Sequence, residues 1–453
     1  MELQGRTMLV IGAGISGFAA AKMAKSMGAR VILSDAKEEA ELDHDFTELR
    51  RQGIELVFGP QKDEMLEGVD MVLLSPAVPL RVPIAQRAIQ WGIPVISEVE
   101  MAYRLAESPI CAVTGTNGKT TTVTLLGLLL KTHYEKVGVG GNIGIPLCEE
   151  AVRVGEGGCI AAEISSYQME ATNAFHPHVS VILNVTPDHI LRHGSMEVYQ
   201  QMKERMFAEE SMDDYLVLNY DDERTRSMKK RARCRTLFFS RKEELEEGAF
   251  LQGDRLVIRW QGREHELCTV SELGIKGGHN VENALAASLA AFLMGAEPEK
   301  MAGVLRSFRG VEHRIEFVRE IEGVPYYNDS KATNTDSAIK ALETFPGHII
   351  LLAGGDDKMT DLSEFMDLVR ERVDELILLG AGAKRFHEAA VARGFSEDHI
   401  HEAGYSMEKA VDLARGMAKA PQVVLLSPAC ASFDMYGGFE ERGRDFKRIV
   451  TER

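Results

Sequence analysis

Ile110-Cys-Ala-Val-Thr-Gly-Thr-Asn-Gly-Lys-Thr-Thr-Thr122 leads from an apolar strand through a glycine turn into an apolar helix. The pattern predicts a strand at 110–113, a turn made of Gly115, Thr116, Asn117 and Gly118, and a helix from Lys119 to about residue 131. Backbone N–H groups at such a turn and the positive end of the helix dipole converge on an anion. Lys119 adds a point charge, the Thr120 hydroxyl suits a phosphate-bound Mg²⁺, and Thr121 continues into the helix. The common phosphate loop has a glycine five residues before Gly118, where Val113 stands, so this turn is a tighter variant. A purely structural turn is the alternative. Gly-Lys-Thr at a strand-to-helix junction nevertheless predicts nucleotide phosphate binding.

Upstream, Met8-Leu-Val-Ile-Gly-Ala-Gly-Ile-Ser-Gly17 is a buried strand, a G-x-G-x-x-G turn and the start of an alanine-rich helix. A second strand at 30–34 ends at Asp35, where a ribose-binding acid sits in a dinucleotide fold. Strands at 55–58, 71–74 and 94–96 alternate with helical segments, which predicts a parallel, doubly wound, Rossmann-like sheet. NAD is the literal reading of the glycines. Their physical demand is a diphosphate-like anion at a helix N-terminus, and UDP meets it equally well.

Downstream of the phosphate loop, strands are predicted at 136–139, 159–164 and 179–184, a hairpin at 249–270 beside the main sheet, and helices at 280–294 and 298–307. A third unit carries strands at 325–328, 348–353, 375–379 and 423–426 and a terminal amphipathic helix at 439–450. The expected fold class is therefore α/β in three domains. Residues 1–97 form a Rossmann-like domain, 98–310 a central P-loop domain with a mainly parallel sheet, and 311–453 a second Rossmann-like domain, with joints near Ser97 and Gly310.

At 453 residues, 45% hydrophobic and 27% charged, the chain has ample core for three such units. Its net charge of −17 argues against a nucleic-acid surface, so phosphate ligands need local cations and Mg²⁺. The six cysteines, Cys111, Cys148, Cys159, Cys234, Cys268 and Cys430, form no C-x-x-C pair and read as small core residues. No run reaches membrane-spanning length and no signal pattern opens the sequence, so a cytoplasmic protein is expected.

Glu163 ends the strand at 159–164, and Asn184-Val-Thr-Pro-Asp-His189 follows the next one. Strand C-termini meet the ligand crevice of an open sheet, so Glu163, His189 and Thr120 could share one metal–phosphate site. A strand-end carboxylate capping a helix is the plainer reading of Glu163. His189 and His193 are four apart, but Ile190 stands where a zinc protease needs glutamate. Lys203 reads from sequence alone as a solvated surface lysine. Asn280 and Asn283 share a helical face suited either to a planar group such as adenine or to capping. In the third unit, Asn328-Asp-Ser-Lys-Ala-Thr-Asn334, Gly354-Gly-Asp-Asp-Lys358 and Ser427-Pro-Ala-Cys-Ala-Ser-Phe433 each follow a buried strand. They form one polar rim, where Lys331 and Lys358 suit a carboxylate or phosphate and Thr333 and Ser432 offer hydroxyls.

These residues resemble the Mur ligase family, ATP-dependent amide-forming enzymes of peptidoglycan precursor synthesis. Thr114-Gly-Thr-Asn-Gly-Lys-Thr120 is similar to that family's own phosphate loop, and the 328–334 and 427–432 loops resemble those of its D-glutamate-adding members. The resemblance spans the whole chain. It implies ATP-dependent addition of D-glutamate to UDP-N-acetylmuramoyl-L-alanine through an acyl phosphate. It implies one Mg²⁺ on Thr120 and Glu163 and a second on His189 and Lys203, the lysine carrying a carbamate, with Lys119, Glu163, His189 and Lys203 as the catalytic set. ATP is expected on residues 115–121, Asn283, Arg314, Asp329 and Lys331. The UDP substrate is expected on Ile15, Ser16, Asp35, Asn142, Ser165 and Gln168, and D-glutamate on Thr333, Lys358, Ser432 and Phe439. A monomer that closes its third domain on ligand binding is expected, with no nucleic-acid or membrane partner. Two departures stand out: Leu191 where the family often has aspartate, and Ala77 where glycine is common. The rival readings are an NAD-dependent oxidoreductase, which leaves the second phosphate loop unexplained, a sister ligase for another amino acid, and a non-catalytic ATP-binding module.

Overall fold

Short apolar runs such as Met8–Ile11 and Ile349–Ala353 offer no polar face to water, so a sheet built from them needs cover on both sides. The computed structural model, which describes residues 1–42, 45–187, 190–357 and 359–452, provides that cover with helices. The first sheet contains β1 (Thr7–Ile11), β2 (Arg30–Asp35), β3 (Glu55–Phe58), β4 (Met71–Leu74) and β5 (Val95–Ser97). All pairs are parallel in the order β3-β2-β1-β4-β5, so the strand order reverses between β1 and β4.

The second sheet contains β6 (Ile110–Thr114), β7 (Val137–Gly141), β8 (Cys159–Glu163), β9 (Val179–Ile182), β10 (Tyr215–Asn219), β11 (Arg235–Ser240), β12 (Gly248–Gln252), β13 (Arg255–Trp260) and β14 (Arg263–Thr269). Their order is β14-β13-β12-β11-β10-β9-β6-β8-β7. The stretch expected as a hairpin is a three-stranded antiparallel meander, and it continues the main sheet through the parallel β11–β12 pair. The third sheet contains β15 (Glu316–Ile321), β16 (Val324–Asn328), β17 (Ile349–Gly354), β18 (Val373–Leu379), β19 (Ile400–Gly404) and β20 (Val423–Leu426). Its order is β15-β16-β20-β17-β18-β19, parallel except for the β15 edge.

The chain divides into two compact units. Residues 1–273 and 279–307 hold the first two sheets, and residues 274–278 and 308–453 hold the third. Within the first unit a buried carboxylate on the helix Glu98–Leu105, just past the Ser97 joint, fastens that helix to the segment that follows β8. Glu100 accepts from the Asn173 and Ala174 backbone N–H groups and pairs with Arg104. All six cysteines are buried and free, as the core reading expects. No helix among the described residues is long and apolar enough to cross a membrane.

Candidate active site

β6 lies between β8 and β9, so three strand C-termini deliver the phosphate loop, Glu163 and Asn184 to one edge. The loop is held from the β9 side. Asn184 Oδ1 accepts from the N–H groups of Thr116 (3.0 Å) and Asn117 (2.8 Å), and Asn184 Nδ2 donates to the Asn117 carbonyl. Gly118 caps the helix Lys119–Leu130 at φ +83°, and a Cβ there would lie 2.3 Å from Asn283 Oδ1. Asn283 is itself buried, accepts from the Thr122 hydroxyl (3.2 Å) and donates to Asn280. Its side chain therefore braces the phosphate-loop helix.

Two lysines converge on this turn. Lys119 Nζ donates to the carbonyls of Gly115 (2.8 Å) and Thr116 (2.9 Å). Lys203 Nζ donates to the same Gly115 carbonyl (3.0 Å) and lies 4.4 Å from the centroid of the Tyr199 ring. The sequence reading of Lys203 as a solvated lysine is corrected: it is only 1% exposed. Tyr199 and Lys203 are one turn apart on the helix Met196–Glu204 and share its buried face, a spacing that carried the signal. Tyr199 OH also meets the Thr116 hydroxyl at 3.2 Å.

Glu163 ends β8 at 2% exposure, and its Oε1 accepts from Asn142 Nδ2 at 2.9 Å. Its Oε2 is buried and has no hydrogen-bond partner among the described residues. An orphaned carboxylate oxygen on the edge that carries the Thr120 hydroxyl is a hard-oxygen donor set, which fits Mg²⁺. Ser165 and Gln168 bond each other, Gln168 Oε1 accepting from the Ser165 N–H (2.8 Å) and hydroxyl (3.0 Å). His193, the other half of the zinc reading, sits 3.0 Å from the Ser166 hydroxyl. His189 and Lys358 lie outside the described residues, as does the Leu191 side chain.

In the first sheet the glycine turn opens the helix Ile15–Ser26 beside the β1/β4 switch point. Gly12 has φ +98°, and a Cβ there would strike Ser75 Cβ and Val78. The 75–78 loop therefore packs directly on the turn. Asp35 Oδ2 accepts from the Ala13 N–H (2.8 Å) and Oδ1 from the Lys37 N–H (3.0 Å), so this acid also shapes the turn. Ile15 stands 66% exposed on the first helical turn and Ser16 is half-buried beside it.

In the second unit the three rim loops are brought together, because β16, β20 and β17 are adjacent. Asp329 Oδ2 accepts from the Ser427 hydroxyl (2.8 Å), the Gly354 N–H donates to the Pro428 carbonyl, and Asp356 and Ala431 pair as an isolated bridge. Burial pushes the Asp329 carboxyl up to about 7, opposed by its Ser427 hydrogen bond and the Arg314 charge. Arg314 Nε is buried without a partner among the described residues. Lys331 Nζ lies 5.6 Å from the Phe439 ring centroid, Thr333 is half-buried, and Ser432 is buried.

Arg442 was missed by the sequence reading. Fully buried, it donates to Ser330 Oγ (3.0 Å) and to the carbonyls of Ser330, Cys430 and Ala431, which locks two of the rim loops together. Burial lowers its guanidinium to about 10. It precedes Phe446 by one helical turn, so an arginine inside the apolar stripe of the helix Phe439–Glu452 was the available clue. Beside it, Glu312, His313 and Glu316 cluster closely enough to hold a metal ion, but Lys447 ion-pairs with both glutamates.

The Mur ligase middle domain matches residues 113–291, the Mur ligase glutamate ligase domain 313–430, and the MurD-like N-terminal domain 6–97. The chain belongs to the Mur ligase family. Its relatives include proteins that bear the name UDP-N-acetylmuramoylalanine--D-glutamate ligase. That of Thermoanaerobacter pseudethanolicus is 47% identical across 100% of this chain and 99% of its own length. That of Pelotomaculum thermopropionicum is 48% identical, over 98% of this chain and 97% of its own. Among solved structures, the UDP-N-acetylmuramate-alanine ligase MurC of Thermotoga maritima aligns over 99% of this chain and 100% of its own, with a TM-score of 0.58 at 21% identity. The MurF ligase of Thermotoga maritima in complex with ADP aligns over 100% and 96%, with a TM-score of 0.57 at 18% identity. These likenesses show the shared fold.

Proposed function

We propose that this chain joins D-glutamate to UDP-N-acetylmuramoyl-L-alanine with hydrolysis of ATP to ADP and phosphate, a step of peptidoglycan precursor synthesis. The observation that carries this reading is 47% identity over the full chain to a relative of that name. The alanyl carboxylate attacks the γ-phosphorus of ATP, ADP leaves, and an acyl phosphate forms. The amine of D-glutamate then attacks the acyl carbon, and the tetrahedral intermediate expels phosphate as the amide forms.

A carboxylate attacking a triphosphate sets anion against anion, so cations carry most of the catalysis. Two unit charges ~4 Å apart interact by about 1 kcal/mol in water and ~4 kcal/mol at an effective dielectric of 20. Lys119 is assigned to the transferred phosphoryl group, on the turn of residues 115–121. Thr120 and Glu163 would hold one Mg²⁺, and His189 with a carbamylated Lys203 a second; the ions would neutralise phosphate charge. Lys203 is buried beside the Gly115 carbonyl of the phosphate turn, so a carbamate on it would set a carboxylate-like ligand at that turn.

The UDP substrate is assigned to Ile15, Ser16, Asp35, Asn142, Ser165 and Gln168. Asn283, Arg314, Asp329 and Lys331 are assigned to ATP, and Thr333, Lys358, Ser432 and Phe439 to D-glutamate. The domains are assigned as residues 1–97, 98–310 and 311–453, in a cytoplasmic monomer without nucleic-acid or membrane partners. Labelling the alanyl carboxylate with ¹⁸O tests the route. One labelled oxygen in the released phosphate is expected, and unlabelled phosphate would rule out the acyl phosphate.

A further inference from the structure

The loop at residues 75–81 leaves β4 at the switch point of the first sheet, where its Ser75 and Val78 pack on the Gly12 turn. Its other side is gripped from the second sheet's segments. The Arg192 guanidinium donates to the carbonyls of Pro76 (3.3 Å) and Ala77 (3.1 Å) and pairs with both oxygens of Glu170, at 2.7 and 3.1 Å. It also stands 4.6 Å from the centroid of the Tyr167 ring. Glu170 Oε2 accepts from the Leu80 N–H (3.1 Å), and Arg81 donates back to the Arg192 carbonyl (2.9 Å). The Arg192 and Glu170 side chains are only 11% and 15% exposed, so water screens this pair weakly.

The two gripping residues come from segments that bear on the phosphate-loop edge. Glu170 lies two residues beyond Gln168 on the segment that leaves β8 after Glu163, and Arg192 belongs to the segment that follows β9 and Asn184. Each segment thus has one end at the nucleotide-phosphate edge of the second sheet and one on the crevice loop of the first. Surface ion pairs contribute little, but a planar fork meeting a carboxylate and two carbonyls at once fixes an orientation that a lysine cannot.

We propose that the Glu170–Arg192 pair is a strap that sets the spacing between the UDP crevice of the first sheet and the phosphoryl-transfer edge of the second. This rests on the function proposed above: one substrate bridges the two places, its UDP in the crevice and its alanyl carboxylate at the edge. Arg192 is a positioning residue. It leaves each half-site intact and governs only whether one molecule reaches both in register, and a misplacement of about 1 Å can cost about 100-fold in rate.

The test compares wild type, Arg192→Ala, Arg192→Lys and Glu170→Gln by turnover with the full substrate and by calorimetric binding of UDP alone and of ADP alone. Wild-type turnover with UDP-N-acetylmuramoyl-L-alanine and D-glutamate checks the function separately from the strap. Arg192→Ala is expected to lose about 100-fold in kcat/KM for the full substrate, while the dissociation constants of UDP and ADP stay within about twofold of wild type. Arg192→Lys should recover little and Glu170→Gln most of the activity. An equal weakening of UDP binding would make the loop merely part of the UDP pocket and overturn the strap. Unchanged turnover in Arg192→Ala would overturn it as well.

Discussion

The chain builds a strand, glycine turn and helix twice in its first unit, and the two copies do different things with the same backbone. At Gly12–Ser16 a carboxylate, Asp35, takes the Ala13 N–H, and an exposed isoleucine stands at the helix start. At Gly115–Thr120 the neutral amide of Asn184 takes two turn N–H groups, while the Nζ atoms of two lysines converge on the Gly115 carbonyl. The first turn is closed on itself by an acid and offers apolar contact; the second holds the Lys119 ammonium and, on the same carbonyl, the buried Lys203 side chain to which the carbamate is assigned. A glycine turn at a helix N-terminus thus supplies a place for an anion, and the side chains around it decide whether the anion is held or reacted.

The comparison breaks most directly at Lys119. Lys119→Ala should lower kcat by about 1,000-fold or more with an unchanged circular dichroism spectrum, and near-normal turnover would remove the phosphate loop from the chemistry. Lys203→Ala should cost about 100-fold, and short carboxylic acids added to the assay should restore part of it. Absence of rescue would set the carbamate aside and leave Lys203 a structural cation on Gly115. At the first turn, Asp35→Asn should raise KM for the UDP substrate about tenfold with little change in kcat, the pattern of lost uniform binding. A fall in kcat of Lys119 size would mean that the two turns share the chemistry after all.

The rim of the third sheet sharpens the contrast, because there the buried Asp329 carboxylate meets a serine hydroxyl, where the phosphate turn of the second sheet meets Lys119. Besides its assigned part in ATP binding, this acid has a consequence that is read in stability. Asp329 rises from its ordinary 3.8 to about 7 in the folded protein, so its protonated form favours folding fully below 3.8, and that contribution is lost as pH rises through about 7. The unfolding midpoint of the wild type should therefore fall between pH 4 and 7 more steeply than that of Asp329→Asn. Parallel slopes would mean that Asp329 ionises as readily folded as unfolded.

The parts legible in the sequence were those written in contiguous residues. The phosphate turn, the β1 turn and the polar loops after buried strands are each encoded within about ten positions. The strands β10, β11, β15 and β19 went unread. β15 is a half-exposed edge, Glu-Phe-Val-Arg-Glu-Ile, whose charges mask its apolar residues, and β10 is five residues set between acidic stretches. Lys203 and Arg442 were misread or missed for one reason: burial of a cation depends on acceptors from distant segments. Gly115 accepts from a lysine 88 residues away, and Ser330 accepts from an arginine 112 residues away.

Phosphate release from ATP in the presence of UDP-N-acetylmuramoyl-L-alanine, with D-glutamate, L-glutamate or no amino acid, tests the central claim most directly. Release that requires both the nucleotide substrate and D-glutamate is the predicted result. Release with another amino acid but not with D-glutamate would contradict it, keeping the family's chemistry and reassigning the rim of the third sheet.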